Sequence, residues 1–352
     1  MILLLLLALP CAALSPEEAL GTDALGEALP PDAAAALEGM SPSNVDPEAG
    51  LAGIGGLLLG QLEGLLAEAL RPAAAVLAIV VLCSAFTPYP QPGELNYVEL
   101  GGCLAVAALG LGDLRSAVAL GVETLETLGD CTRLLLPTLT AVAASTGAVG
   151  SAGAKYAASA LFSDLLLTAA NGLIVPVICG AAASAAAGAA LGTKQLQGAE
   201  KLLTWLGKAL MKYLVLAFTF YLGLTGVLRG SADAAAVKAA RTALSATLPV
   251  VGKLLADASE SLVAGLEMLR SATGVFGLLA VCAAVALPLL RLGLRCVLFR
   301  AAAALGGVVA GERMSRLLAS LGTVYGMMMG LVGAGAAMAL LSIFSLMRTV
   351  TG

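Results

Sequence analysis

The chain has 352 residues, of which 59% are hydrophobic and only 12% are charged, and its mean hydropathy is +0.97. Soluble domains carry about 25% charged residues because their surfaces face water, so this composition predicts an integral membrane protein. The absence of histidine excludes histidine-based catalysis and metal binding, and the net charge of −4 leaves no basic surplus for nucleic acid.

The N-terminal part of the chain has the pattern of an exported segment. Residues 1–15 hold an apolar run followed by small residues, which predicts a signal peptide or, alternatively, a short uncleaved anchor. Residues 16–50 are rich in Pro, Gly, Ala and acids and are interpreted as an acidic extracytoplasmic linker. Because residues 16–70 contain ten acids and neither Lys nor Arg, we expect the N-terminus to lie outside the cytoplasm.

A predicted amphipathic helix at 51–70 leads into residues 71–352, which we interpret as a polytopic membrane domain. A membrane-spanning helix needs about 20 largely apolar residues, and open strand edges are not stable in lipid. The sequence therefore predicts an all-α membrane helical bundle with seven to nine spans. Two short windows, 97–112 and 296–311, have re-entrant segments as their alternative interpretation. The apolar windows are 72–87, 97–112, 134–152, 156–172, 173–193, 211–228, 272–294, 296–311 and 317–347.

Small residues recur at spacings of three and four in several windows, including those around Gly188, Gly326 and Gly330. Such faces let helix backbones approach closely, so we expect a leucine at Gly188 or Gly330 to push helices apart. We interpret these faces as packing within the chain. The alternative is contact with other subunits, including further copies of this chain in a homo-oligomer.

Two polar stretches, residues 113–133 and 250–270, have the periodicity of amphipathic helices. Pro249 and Gly252 are placed to break the chain and direct the second helix. Each helix either lies in the membrane interface or uses its charged face to line an aqueous path or dock a partner. In the second stretch that face consists of Lys253, Asp257, Glu260, Glu267 and Arg270.

Asp164 is the one carboxylate well inside an apolar window, and Asn171 follows it by two helical turns. An intramembrane acid is a functional-site hypothesis, and proton coupling through Asp164 is one alternative. The sequence contains no P-loop, no G-x-S-x-G and no H-E-x-x-H. We therefore predict that the protein is not an enzyme and has no catalytic residue, cofactor or metal site.

Residues 241–258, RTALSATLPVVGKLLADA, resemble stage III sporulation protein AE, a family of polytopic membrane proteins from endospore-forming bacteria. The resemblance extends over about residues 51–352, and the chain departs from the family pattern in its high Ala and Gly content. The positions that carry it are Arg241, Pro249, Val250, Val251, Gly252, Asp257 and Ala258.

The resemblance implies a membrane subunit of a secretion-like channel complex that links mother cell and forespore and is needed for late forespore gene expression. It implies an export-apparatus or permease-like role in the multi-pass mother-cell membrane around the forespore. The implied partners are the other membrane proteins of the same sporulation operon, a separate ATPase and the lipid bilayer. The alternative is a secondary transporter of a small solute that acts independently.

Overall fold

A computed structural model describes residues 28–40, 45–86, 97–145, 149–247, 251–309 and 312–347. Within these ranges the chain is almost entirely helical and contains no strand. Side chains are described in the same ranges except at 142–145, 149–151, 194, 223–247, 251–272 and 308–309. The α-helices are α1 (Pro31–Ala36), α2 (Pro47–Phe86), α3 (Tyr97–Ser145), α4 (Val149–Ala169), α5 (Val175–Leu191), α6 (Lys194–Thr247), α7 (Val251–Val309) and α8 (Glu312–Met347).

Local sequence sets two helix boundaries. Asp46 precedes α2, and its Oδ1 accepts hydrogen bonds from the backbone N–H groups of Glu48 at 3.0 Å and Ala49 at 3.3 Å. An acid at this position satisfies N–H groups that have no partner in the first helical turn. At the other end of the fold, α5 stops because Gly192 adopts a left-handed conformation, with φ of +68°, and its N–H donates to the carbonyl of Gly188.

A single π-helical segment, Ala170–Ile174, joins α4 to α5. Pro176 lies two residues after this segment and has no N–H to donate to the carbonyl one turn earlier, so the regular α-helical ladder cannot continue through this point. The wider turn absorbs that defect without breaking the helix. The two elements therefore form one long apolar rod.

Helix α8 is the centre of the bundle and packs against α3, α4, α5, α6 and α7. Its most extensive contact is with α7, where Gly322 lies against Arg300. A Cβ at Gly322 would stand 2.8 Å from the Arg300 side chain and 3.4 Å from the Cys296 carbonyl oxygen, so glycine permits the close approach. Helix α2 packs against α3 and α7, whereas α6 packs mainly against α5, α4 and α8.

The predicted all-α polytopic membrane bundle is confirmed. Within the described ranges, six helical segments are long and apolar enough to cross a membrane, close to the predicted seven to nine. Several predicted windows share one segment, which lowers the number: 156–172 and 173–193 both lie on Ala152–Leu191. Window 97–112 and residues 296–309 of the other window considered as re-entrant lie on the continuous helices α3 and α7. The predicted helix at 51–70 is part of the continuous α2. The six segments are Pro47–Phe86, Tyr97–Ala141, Ala152–Leu191, Gln195–Leu222, Thr273–Gly307 and Glu312–Met347.

Candidate functional site

A cluster of charged and polar side chains joins four helices of the bundle. Arg295 of α7 is at its centre, with its Nη2 3.1 Å from Glu68 Oε1 of α2 and 3.5 Å from Asp113 Oδ1 of α3. The hydroxyl of Tyr325 on α8 donates to Asp113 Oδ2 at 2.5 Å. These four residues are called the Arg295 network below.

The Arg295 network is buried at one end and open at the other. The side chains of Arg295 and Asp113 are 9% and 14% exposed, whereas that of Glu68 is 52% exposed. Tyr325 is fully buried, and its ring packs against that of Phe299 at a centroid distance of 5.0 Å. A buried guanidinium is tolerated only with a paired charge, and here Asp113 is the buried partner and Glu68 the accessible one.

The backbone of α2 is weakened beside this network. Pro72 lies inside α2, four residues after Glu68. Proline has no N–H, so the carbonyl of Glu68 loses its helical hydrogen-bond donor. Glu68, which carries the accessible carboxylate of the network, is therefore also the residue whose carbonyl lacks a helical hydrogen bond.

Sequence reasoning did not single out the members of the Arg295 network. Asp113 begins the polar stretch at 113–133, Glu68 belongs to the predicted amphipathic helix, and Arg295 separates two apolar windows. The available signal was that Asp113 and Arg295 each stand at the end of an apolar window, where an isolated charge needs a partner. Which charges meet depends on the packing of α2, α3 and α7, and no local pattern specifies that packing.

The predicted intramembrane carboxylate lies on the outside of the bundle. Asp164 Oδ1 accepts a hydrogen bond from Arg133 Nη2 at 2.7 Å, and Arg133 Nη1 lies 3.4 Å from Asp130 Oδ1. The side chains of Arg133 and Asp164 are 59% and 62% exposed. Asn171 is also exposed and lies on the π-helical segment. Asp164 therefore belongs to a surface ion cluster rather than to the buried network.

The three glycines predicted to mediate packing have different surroundings. Gly188 is buried, and a Cβ there would stand 3.4 Å from Leu196 Cβ, at the turn between α5 and α6. A Cβ at Gly326 would stand 3.4 Å from Cys296 Sγ. Gly330 is exposed, and the nearest atom to its Cβ position is the Met211 sulfur at 3.9 Å.

The predicted charged face at 250–270 lies outside the residues whose side chains are described. Gly252 and the charged positions fall within α7, and Arg241 falls within α6, but Pro249 lies outside the described ranges. The role of this face therefore stays a prediction. The charged positions are Lys253, Asp257, Glu260, Glu267 and Arg270.

Two charged faces lie on the outside of the candidate spans. The lysine face of α6 consists of Lys201, Lys208 and Lys212, and the acidic face of α3 consists of Glu123, Glu126 and Asp130. All six residues are exposed and lie within apolar segments long enough to span.

Contacts at glycines show which parts of α8 lie beside the two charged faces. Met327 packs against Gly207 of α6, and Met211 of α6 is the nearest neighbour of Gly330, so Lys208 and Lys212 lie beside the middle of α8. Gly335 packs against Leu125 and Leu128 of α3, so the acidic face lies beside the second part of α8.

The fold and its buried ion network define a polytopic helical membrane protein whose bundle is joined internally by polar contacts. The family model for stage III sporulation protein AE matches residues 94–349, well over half of the chain. The chain therefore belongs to the stage III sporulation protein AE family, which confirms the resemblance seen in the sequence. No curated protein and no solved structure matched the chain. The family is one of sporulation membrane proteins, and the match indicates no enzyme family.

Proposed function

We propose that this protein is a membrane subunit of the channel complex that links mother cell and forespore, with an export-apparatus or permease-like role. Its place is the mother-cell membrane around the forespore, with the N-terminus outside the cytoplasm. Its partners are the other membrane proteins of the same operon and a separate ATPase. Membership of the stage III sporulation protein AE family supports a role in sporulation.

The observation that carries the proposal is the position of the charged faces relative to any bilayer. Helix α8 has 36 residues and is about 54 Å long, whereas the hydrocarbon core is about 30 Å thick. A layer that covers about 20 of the 36 residues of α8 always includes the middle of the helix and part of each half. The lysine face of α6 or the acidic face of α3 therefore falls at the level of the hydrocarbon in every placement within α8.

Charged side chains at that level are costly when they face lipid, and they normally face protein or an aqueous cavity. A single chain acting alone would leave one of the two faces in contact with acyl chains. A subunit of a larger assembly covers such a face with a neighbouring protein or uses it to line a polar path. The exposed charges therefore favour an assembly subunit over a transporter that acts independently.

Co-purification from sporulating cells tests the proposal. The wild-type chain should recover the other membrane proteins of the operon from a mild detergent extract. Changing Lys208→Gln together with Lys212→Gln should reduce that recovery about tenfold or more, because lost charge pairs at an interface weaken binding by that amount. The abundance of the variant should not fall, since glutamine is less costly in lipid than lysine.

Arg71→Gln is the matched control, because Arg71 is also an exposed basic residue but lies on α2, away from the lysine face. It should leave the recovery unchanged. Recovery of the wild-type chain without partners, together with stabilisation by a solute, would contradict the proposal and support the secondary transporter instead.

A further inference from the structure

A cavity of about 190 Å³ lies between α1, α3 and α7, separate from the Arg295 network. Its wall carries one basic side chain, Arg291, and two acidic ones, Asp32 and Glu123. Arg291 is on the same helix as Arg295 and one turn before it. The cavity is therefore a second charged site in the bundle, and the short helix α1 covers part of it.

The basic side of the cavity is incomplete. Among the residues that the structure describes, Arg291 Nε is buried without a hydrogen-bond partner, and no ion pair joins Arg291 to Asp32 or Glu123. A buried donor without a partner is costly, and a guanidinium is satisfied best by a planar or tetrahedral oxyanion. The geometry of Arg291 thus suits a phosphate or carboxylate group in the cavity.

The opposite side of the cavity offers acceptors only. Asp32 and Glu123 are exposed, so their carboxylates line the open part of the cavity. The hydroxyls of Thr124 and Thr127 use their hydrogens within α3, donating to the carbonyls one turn earlier at 2.6 Å and 3.0 Å. Their lone pairs are left to accept, and an ammonium group is the donor that suits such a surface.

A proline in α7 leaves one backbone carbonyl of a lining residue without its helical donor. Pro288 lies inside α7 and lines the cavity together with Ala284, four residues earlier. The missing N–H of Pro288 leaves the Ala284 carbonyl without its helical donor. One wall of the cavity therefore offers the hydrogen-bond donors of Arg291, and the others offer carboxylate and hydroxyl acceptors.

We propose that this cavity binds a small zwitterion of the phosphoethanolamine type, with its phosphate on Arg291 and its ammonium group toward Glu123 and Asp32. Phosphoethanolamine has about eight non-hydrogen atoms, and a protein cavity of about 150 Å³ holds benzene, so the size is appropriate. The same chemistry is offered by a free metabolite and by the headgroup of phosphatidylethanolamine. This site is additional to the channel-subunit role and does not depend on it.

Binding to the full purified chain in detergent, after removal of copurified lipid, tests the proposal. The probes are phosphatidylethanolamine, phosphatidylglycerol, which lacks the ammonium group, and free phosphoethanolamine. Native mass spectrometry should show phosphatidylethanolamine bound about tenfold or more tightly than phosphatidylglycerol if the lipid headgroup is the source. Binding of free phosphoethanolamine without retention of the lipid would identify the free zwitterion as the source.

Two variants separate the halves of the ligand. Arg291→Gln should abolish binding of whichever zwitterion the wild type binds. Glu123→Gln should weaken that binding about tenfold. Arg115→Gln and Glu126→Gln make the same charge changes at exposed positions of α3 outside the cavity and should bind like wild type.

The proposal is overturned if wild type binds neither zwitterion, or if it binds phosphatidylglycerol as well as phosphatidylethanolamine. Unchanged binding in Arg291→Gln would also overturn it. If Arg291→Gln does not fold, Glu123→Gln decides the matter, because Glu123 is exposed and its replacement leaves the helix packing intact. Wild-type affinity in that variant would then count against the proposal.

Discussion

At the scale of single residues, the Arg295 network contributes little to stability but fixes how α3 and α7 are aligned. Arg295 and Asp113 are nearly excluded from water, and a buried ion pair contributes little net stability because both charges must be desolvated. Apolar side chains of similar size would hold α3 and α7 together equally well. What the ion pair adds is a fixed register between helices that are otherwise apolar and able to slide.

Replacing Arg295 separates these two contributions. Arg295→Met should lower the free energy of unfolding by about 3–5 kcal/mol, because Asp113 is left buried without a counter-charge. Adding Asp113→Leu should recover most of that loss. Thermal unfolding in detergent measures both variants, with Arg115→Met as the exposed control on α3.

Spore yield is the second measurement for the same pair. A double variant that is as stable as wild type but forms few spores would show that the charges are needed for more than folding. Equal stability of Arg295→Met and wild type would show that the ion pair is not buried as described.

At the scale of helices, glycines predicted to pack in the same way have different surroundings on α5 and α8. Gly188 is enclosed where α5 turns into α6, whereas Gly330 lies on an exposed part of α8. The sequence predicted that neither position would accept a bulky side chain. The structure separates them, because Gly188 is buried, whereas Gly330 is exposed and its nearest neighbour, Met211, leaves more room.

Leucine at these two glycines should therefore act through different routes. Gly188→Leu should reduce the amount of folded protein, since its side chain would displace Leu196 and part α5 from α6. Gly330→Leu should leave the abundance normal and reduce sporulation only if another subunit covers that face. Immunoblots of membranes with parallel spore counts distinguish the cases, and a normal level of Gly188→Leu would contradict the packing.

The helix at 250–270 gives a second prediction at this scale. Changing Asp257→Asn, Glu260→Gln and Glu267→Gln together removes three negative charges but keeps polarity and size. A helix that only rests in the interface would tolerate this, whereas one that docks a partner depends on the sign of the charges. We expect lower spore yield at normal abundance. A wild-type yield would assign the helix to the interface.

At the scale of the whole molecule, the start of α2 and the turn between α5 and α6 lie at opposite ends of the bundle. Helix α2 begins at one end, where Gly50 packs against Leu279. The turn between α5 and α6 lies at the other end, where Gly192 packs against Arg313 near the start of α8. The two ends therefore face opposite sides of a membrane that the bundle spans.

Labelling from outside the cell tests which end faces outward. In a cysteine-free background, Glu38→Cys should react with a membrane-impermeant maleimide in intact cells, and Gln195→Cys should not. Both side chains are exposed, so access to the reagent decides the result. The expectation follows from ten acids and no basic residue across 16–70. The reverse labelling pattern would place the N-terminus in the cytoplasm.

The sequence was sufficient for the architecture and insufficient for the sites. Apolar run length depends on bilayer thickness, so the membrane helices were predictable, although windows 156–172 and 173–193 proved to be continuous. Asp164 was conspicuous because its neighbours are apolar, yet it lies outside the bundle beside Arg133. Arg295 was less conspicuous, and its burial depends on contacts with residues more than 180 positions away along the chain.

The proline in α2 has a mechanical consequence. A straight helix transmits a push along its axis, but Pro72 gives α2 a joint one turn beyond Glu68. Bending at that joint would change the distance between Glu68 and Arg295, whereas Asp113 is on a different helix and would not move with it. Glu68 is therefore the partner of Arg295 that lies next to a helix joint, and it is on the helix that follows the acidic N-terminal segment.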